Sequence, residues 1–130
     1  MYQKKTNDIT VSVESVFLEH ESSPANNEYF WAYHIEIKNE GKESVQLDER
    51  YWQITDSQGH MQEVRGEGVV GQKPVLKPGD IYKYTSGAPL HTPWGIMVGK
   101  YYMKSLDGAT FAVDIPAFSL DSPHQKAVRH

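Results

Sequence analysis

The run FWAYHIEIK, Phe30 to Lys38, decides the fold class of this chain. Trp31, Tyr33, Ile35 and Ile37 fall on one parity, and Phe30, Ala32, His34, Glu36 and Lys38 fall on the other. Successive side chains of an extended backbone point to opposite sides, so this alternation marks a strand with one face in a core. A helix would scatter the same four large apolar residues around its circumference. Upstream, Ile9, Val11 and Val13 alternate with Thr10 and Ser12. There the phase slips, because Val16 and Leu18 continue the apolar pattern from even positions, and a bulge or turn near Glu14–Ser15 is expected to absorb the slip. The polar stretch from Glu21 to Asn27 carries no periodicity and reads as a breaker.

Downstream, Asn39-Glu40-Gly41-Lys42 turns the chain and Val45 and Leu47 begin another strand. A separate strand, Tyr51 to Thr55, keeps Trp52 and Ile54 on one side. The turn Asp56-Ser57-Gln58-Gly59 joins it to a hairpin partner, Met61 to Arg65. Trp31, Tyr33, Ile35, Ile37, Trp52 and Ile54 are therefore the expected core. Gly66 to Gly79 is rich in glycine and proline and excludes a helix, since Pro74 and Pro78 each remove a donor and hold their predecessors extended. Strand character returns over Ile81 to Ser86, followed by an irregular stretch from Gly87 to Trp94. In the strand from Ile96 to Leu106, Met97, Gly99, Tyr101 and Met103 share a face, and Leu106-Asp107-Gly108 signals a hairpin turn. Phe111, Val113 and Ile115 alternate until Pro116 stops them. The polar tail from Asp121 is expected to fray, with a domain over residues 1–124 and disorder over 125–130.

About eight short strands without an amphipathic helix describe an all-β sandwich or barrel, and the size favours a sandwich, whose immunoglobulin-like plan needs about 100 residues. The 130 residues allow one domain. Thirteen Lys and Arg against 17 Asp and Glu give a formal charge of −4, so no nucleic-acid partner is expected from a chain without basic excess. Aromatic residues at 12 % exclude a disordered chain. The absence of cysteine removes disulfides, thiolate metal sites and cysteine nucleophiles. The opening MYQKKTND lacks the apolar core of a signal segment, and no run approaches the roughly 18 apolar residues of a membrane span. A cytoplasmic location is expected.

Little chemistry is on offer. No nucleophile elbow, HExxH, SxxK or P-loop lysine occurs, so neither an enzyme nor a cofactor is expected. His34 with Glu36, and His20 with Glu19 and Glu21, lack a third ligand nearby, and no metal site is expected. Gly66-Glu67-Gly68-Val69-Val70-Gly71 spells GxGxxG, but Gln72-Lys73-Pro74 follows where a dinucleotide fold needs a helix. What survives is an anion-binding nest of backbone amides formed by Gly66, Gly68 and Gly71 between Arg65 and Lys73, set against a plain crossover loop. In either case at least one of these glycines should take positive φ. Weak phosphate or pyrophosphate binding would follow from the nest. A second candidate, for a protein partner, is the proline-bracketed stretch with Pro89, His91, Pro93 and Trp94. An exposed Trp94 would mark a contact site, and a buried one would anchor the loop.

The segments VRGEGVVGQKPVLKPG, Val64 to Gly79, and SGAPLHTPWGIMVGKYYM, Ser86 to Met103, resemble the core signature of the ApaG family. The flanking ITVSVES and IPAFSLDSP fit as well, so the resemblance covers nearly the whole chain and includes two irregular loops in order and spacing. It implies an immunoglobulin-like, fibronectin type III-like sandwich of about seven to eight strands. It further implies a non-enzymatic module for protein–protein interaction, with a nominal family link to cobalt tolerance and magnesium efflux. The alternative is a small-ligand sensor that takes a phosphate-containing anion or divalent metal at the glycine-rich loop. A soluble sandwich cannot itself carry ions across a bilayer, so an efflux role would be indirect.

Overall fold

Alternating side chains become paired strands in the computed structural model, which describes residues 1–124. In chain order the strands are β1 (Tyr2–Thr6), β2 (Ile9–Phe17), β3 (Tyr29–Asn39), β4 (Val45–Asp56), β5 (Met61–Glu67), β6 (Val75–Leu76), β7 (Ile81–Leu90), β8 (Gly95–Ser105) and β9 (Thr110–Leu120). They form two antiparallel sheets, ordered β1-β2-β3-β7 and β5-β4-β8-β9, with short β6 on β4. Their inner faces enclose one core, so the fold is the expected immunoglobulin-like, fibronectin type III-like β-sandwich. Trp31, Tyr33, Ile35, Ile37, Trp52 and Ile54 are all buried in it. Phe118 ties the layers together, its ring 5.8 Å from Tyr33 and 5.9 Å from Trp52.

The strands depart from the sequence pattern at four places. The phase of β2 does not slip: pairing runs unbroken from Ile9 opposite Asn39 to Phe17 opposite Trp31. Phe17 keeps the odd face, its ring 5.3 Å from Trp31, and Val16 is left 43 % exposed. The segments at Val45 and Tyr51 are one twelve-residue strand whose register shifts between Leu47 and Glu49. Strand β7 runs on through Gly87, Ala88 and Pro89, because β7 is an edge strand and its outer side asks nothing of a missing proline N–H. Pro116 does not stop β9. Gly99 faces Ile115 and Met97 faces Phe118, so Pro116 and Ala117 together oppose Val98 in a bulge. The extra residue moves the buried positions from Val113 and Ile115 to Phe118 and Leu120.

Nor does the chain fray at Asp121. The Trp31 indole N–H donates to the Asp121 carbonyl at 2.7 Å, and the Ser122 hydroxyl to the Pro93 carbonyl at 2.6 Å. His124 packs its ring 5.7 Å from Phe17. Residues 125–130, the expected tail, lie outside the described residues.

The two seams between the sheets differ. On one, β1 leans across onto β9 through a Lys4–Asp114 ion pair at 3.3 Å and a 2.9 Å bond between the Tyr2 and Ser119 hydroxyls. On the other, β5 and β7 end their sheets, and among the described residues neither outer edge is paired.

Candidate functional site

The two loops singled out by sequence sit at opposite ends of the sandwich. Strand β4 starts at Val45, beside β6 and the crossover into β7, and finishes at Asp56, opposite Gly95 and next to the loop joining β7 to β8.

At the first end, Gly68 (φ +62°) and Gly71 (φ +75°) take positive φ, as expected of at least one glycine here. Gly68 admits no side chain, since a methyl group would lie 2.2 Å from the Gln72 carbonyl oxygen. Val69 is buried and anchors the turn. Val70 rides at its tip with φ +48° and is 62 % exposed, an unfavourable setting for a β-branched residue. Three of the amides in this stretch are already engaged within the chain. The Gly68 amide donates to the Asp48 carbonyl at 2.8 Å, and Val69 and Gln72 exchange both of their backbone bonds. Arg65 turns away to the outer sheet face, where its guanidinium carbon lies 4.8 Å from the Tyr51 ring centre and 5.7 Å from that of Tyr102. Lys73 bonds Glu67 at 2.9 Å and Asp48 at 3.2 Å, so the loop's own acids occupy it. The hydrogen bond from Lys73, aided by the charge of Lys104, holds the Asp48 carboxyl below its ordinary range.

The cation that does reach this loop was not singled out by sequence: Arg50. Its Nη1 donates to the Glu67 carbonyl at 3.1 Å and the Gly68 carbonyl at 3.0 Å. Gly66 makes room, because a methyl group there would sit 2.9 Å from both terminal guanidinium nitrogens. The hairpin register carries the missing signal. A turn over Asp56–Gly59 sets Thr55 against Met61 and hence Arg50 against Gly66.

At the other end, Pro89 belongs to β7, and His91, Pro93 and Trp94 form the connecting loop. Buried Thr92 is its keystone, accepting from the Ser57 amide at 3.1 Å and donating to the Trp94 carbonyl at 2.9 Å. Ser122 holds Pro93, and His91 Nδ1 lies 3.2 Å from the Asn27 carbonyl. His91 is exposed and Trp94 half-buried, so Trp94 both anchors the loop and shows a face to solvent.

No group of three or more His, Cys, Asp or Glu side chains gathers at metal-binding distance among the described residues. His34 Nδ1 bonds the Thr85 hydroxyl at 2.7 Å and Glu36 pairs with Lys83 at 3.6 Å. No helix of the described residues is long and apolar enough to cross a membrane.

The ApaG domain family model matches residues 19–105. Protein ApaG of Parvibaculum lavamentivorans is 54 % identical over 130 residues, covering all of both chains, and that of Brucella canis is 57 % identical over 126 residues, 97 % of each. Among solved structures, the putative ApaA protein from Bordetella pertussis superposes with a TM-score of 0.87 at 44 % identity, over 90 % of this chain and 95 % of that one.

Proposed function

This chain belongs to the ApaG domain family, and from that premise we propose that it is a non-enzymatic module that recognises another protein. One observation carries the reading: the loop with His91, Pro93 and Trp94 is pinned by three separate segments, at Ser57, Ser122 and Asn27, and still presents His91 and one face of Trp94. A surface held in place before contact gives up little conformational freedom on binding, and tryptophan is among the residues that concentrate binding energy. The outer face of β4, β5 and β8 supports the same reading, with Arg65 laid over Tyr51 and Tyr102. Any part in cation handling then runs through the partner.

The test is cross-linked capture from the native host with the wild-type protein, Trp94→Ala and His91→Ala, each first shown to melt cooperatively. A partner recovered reproducibly with wild type and depleted about tenfold by Trp94→Ala supports the reading. No reproducible partner, together with a monomeric native mass spectrum, refutes it.

A further inference from the structure

The open seam carries a second surface. β5 has seven residues in unbroken register with β4, from Thr55 opposite Met61 to Glu49 opposite Glu67, and among the described residues no strand pairs its outer edge. It contains no proline, whereas Pro89 interrupts the donors of β7 on the facing edge. Glu63 and Arg65 point to the outer face, where both contact Tyr51, and leave the edge itself clear.

Under that edge stands Arg50. On the inner face of β4 it is flanked in register by Gly66 on β5 and Tyr101 on β8. Because Gly66 has no side chain, the guanidinium lies across β5 toward the seam. Its hydrogen bonds go to two carbonyl oxygens, and among the described residues no carboxylate forms an ion pair with it. A half-buried guanidinium with spare N–H donors is an incomplete arrangement, since a carboxylate would accept from it bidentately. The opposite sheet supplies Tyr84, whose hydroxyl bonds that of Tyr101 at the same level. Four residues along both strands, Ile54 faces Gln62, and a cleft of about 390 Å³ opens there between Met61 and Leu90. Four strand residues span about 13 Å at roughly 3.3 Å each.

We propose that the free edge of β5 receives an extended segment of a partner protein, antiparallel to β5, whose carboxylate side chain meets Arg50 and whose apolar side chain four residues later enters the cleft beside Ile54. Strand addition supplies backbone hydrogen bonds, and side chains of one parity supply selection. Antiparallel addition continues the pairing of every strand in this sheet. The inference rests on the reading of the chain as a protein-binding module, but not on the Trp94 loop.

The probe is a capped nine-residue peptide of threonines with aspartate third, valine fifth, leucine seventh and lysine at each end, titrated into isotope-labelled full-length protein. A second peptide replaces the aspartate by asparagine. We expect saturable amide shifts confined to Met61–Glu67 and their neighbours, and about tenfold weaker binding of the asparagine peptide. Arg50→Gln should erase that tenfold preference. Should Arg50→Gln fail to fold, Gly66→Ala replaces it, because the added methyl group displaces only the flexible end of Arg50. Shifts centred on Ile81–Leu90, a preference retained in the variant, or no saturable binding at millimolar peptide each overturn the proposal. A Trp94-dependent partner captured alongside a silent peptide titration overturns the seam alone, whereas failure of both removes the module reading as well.

Discussion

The glycine-rich crossover and the loop from His91 to Trp94 are held by different physics. Charges fasten the crossover: Arg50 grips two carbonyls, and Lys73 spans Asp48 and Glu67. Neutral hydroxyls fasten the other loop, with buried Thr92 and Ser122 bonded to backbone groups of half-buried residues. Exposed ion pairs are individually weak and salt-screened, so the crossover depends on glycine geometry and on Val69 for its shape. Buried neutral hydrogen bonds resist salt and pH, and leaving one unmade is expensive. The loop that sequence marks most loudly is thus the more conditional of the two.

The strongest way to break this contrast is Gly68→Ala. The methyl group meets a backbone oxygen at positive φ, and urea unfolding should show a loss of at least about 3 kcal/mol, against about 1 kcal/mol for Gly71→Ala, which has open space. Equal losses would mean that dihedral preference alone governs the turn. Next comes Thr92→Val, which keeps the volume but strands the Ser57 amide and the Trp94 carbonyl. Its expected cost is about 2 kcal/mol, unchanged between low and high salt. A salt-dependent cost would contradict the neutral fastening. Val70→Gly should stabilise the protein by about 0.5–1 kcal/mol, since it relieves a β-branched residue at positive φ on an exposed tip. Destabilisation would reveal a packing role for Val70.

A smaller difference appears with pH. The folded-state pKa of Asp48 is depressed, chiefly by the hydrogen bond from Lys73, so its contribution is complete above the ordinary carboxylate pKa of about 3.9 and disappears as pH falls through the lowered folded value. Lys73 is shifted upward, chiefly by Glu67, and its contribution is lost only as pH rises past that raised value. Amide exchange, corrected for its intrinsic pH dependence, should therefore quicken below about pH 4 at Gly68, Val69 and Gln72. Smallest of all is the expected response to pyrophosphate: Gly66 to Gly71 should show no localised amide shifts at physiological salt, because Arg65 is elsewhere and Lys73 already has partners. Saturable shifts there would restore the anion-binding alternative.

What sequence made legible follows from how local the cause is. Trp31 to Ile37 alternate because one strand faces one core, and adjacent residues suffice to see it. Val16 misleads because its parity matches that of Leu18, which lies beyond the strand, while Phe17 is the residue that keeps the face. Pro116 misled because a bulge is a property of two strands, and only the opposing Val98 shows that the extra residue is accommodated. Arg50 stayed hidden for the same reason. Its role exists only in relation to Gly66, sixteen positions away across a hairpin. Of the partner loop, His91 and Trp94 were visible as residue types. The pinning by Ser57 and Ser122 joins distant segments that no local pattern connects.

The seam closed by β1 also sets a timetable. Tyr2 and Ser119 meet across 117 positions, so the strap cannot seat until the last strand exists. At about 5–20 residues per second of synthesis, β1 emerges roughly 5–20 s before β9. For that interval β2 and β3 can pair while the apolar faces meant for β8 and β9 stay uncovered. Long-range pairing of this kind also places intrinsic folding in the millisecond-to-second range. The nascent chain therefore carries an open sheet over that interval, and β9 completes the core and closes the seam together.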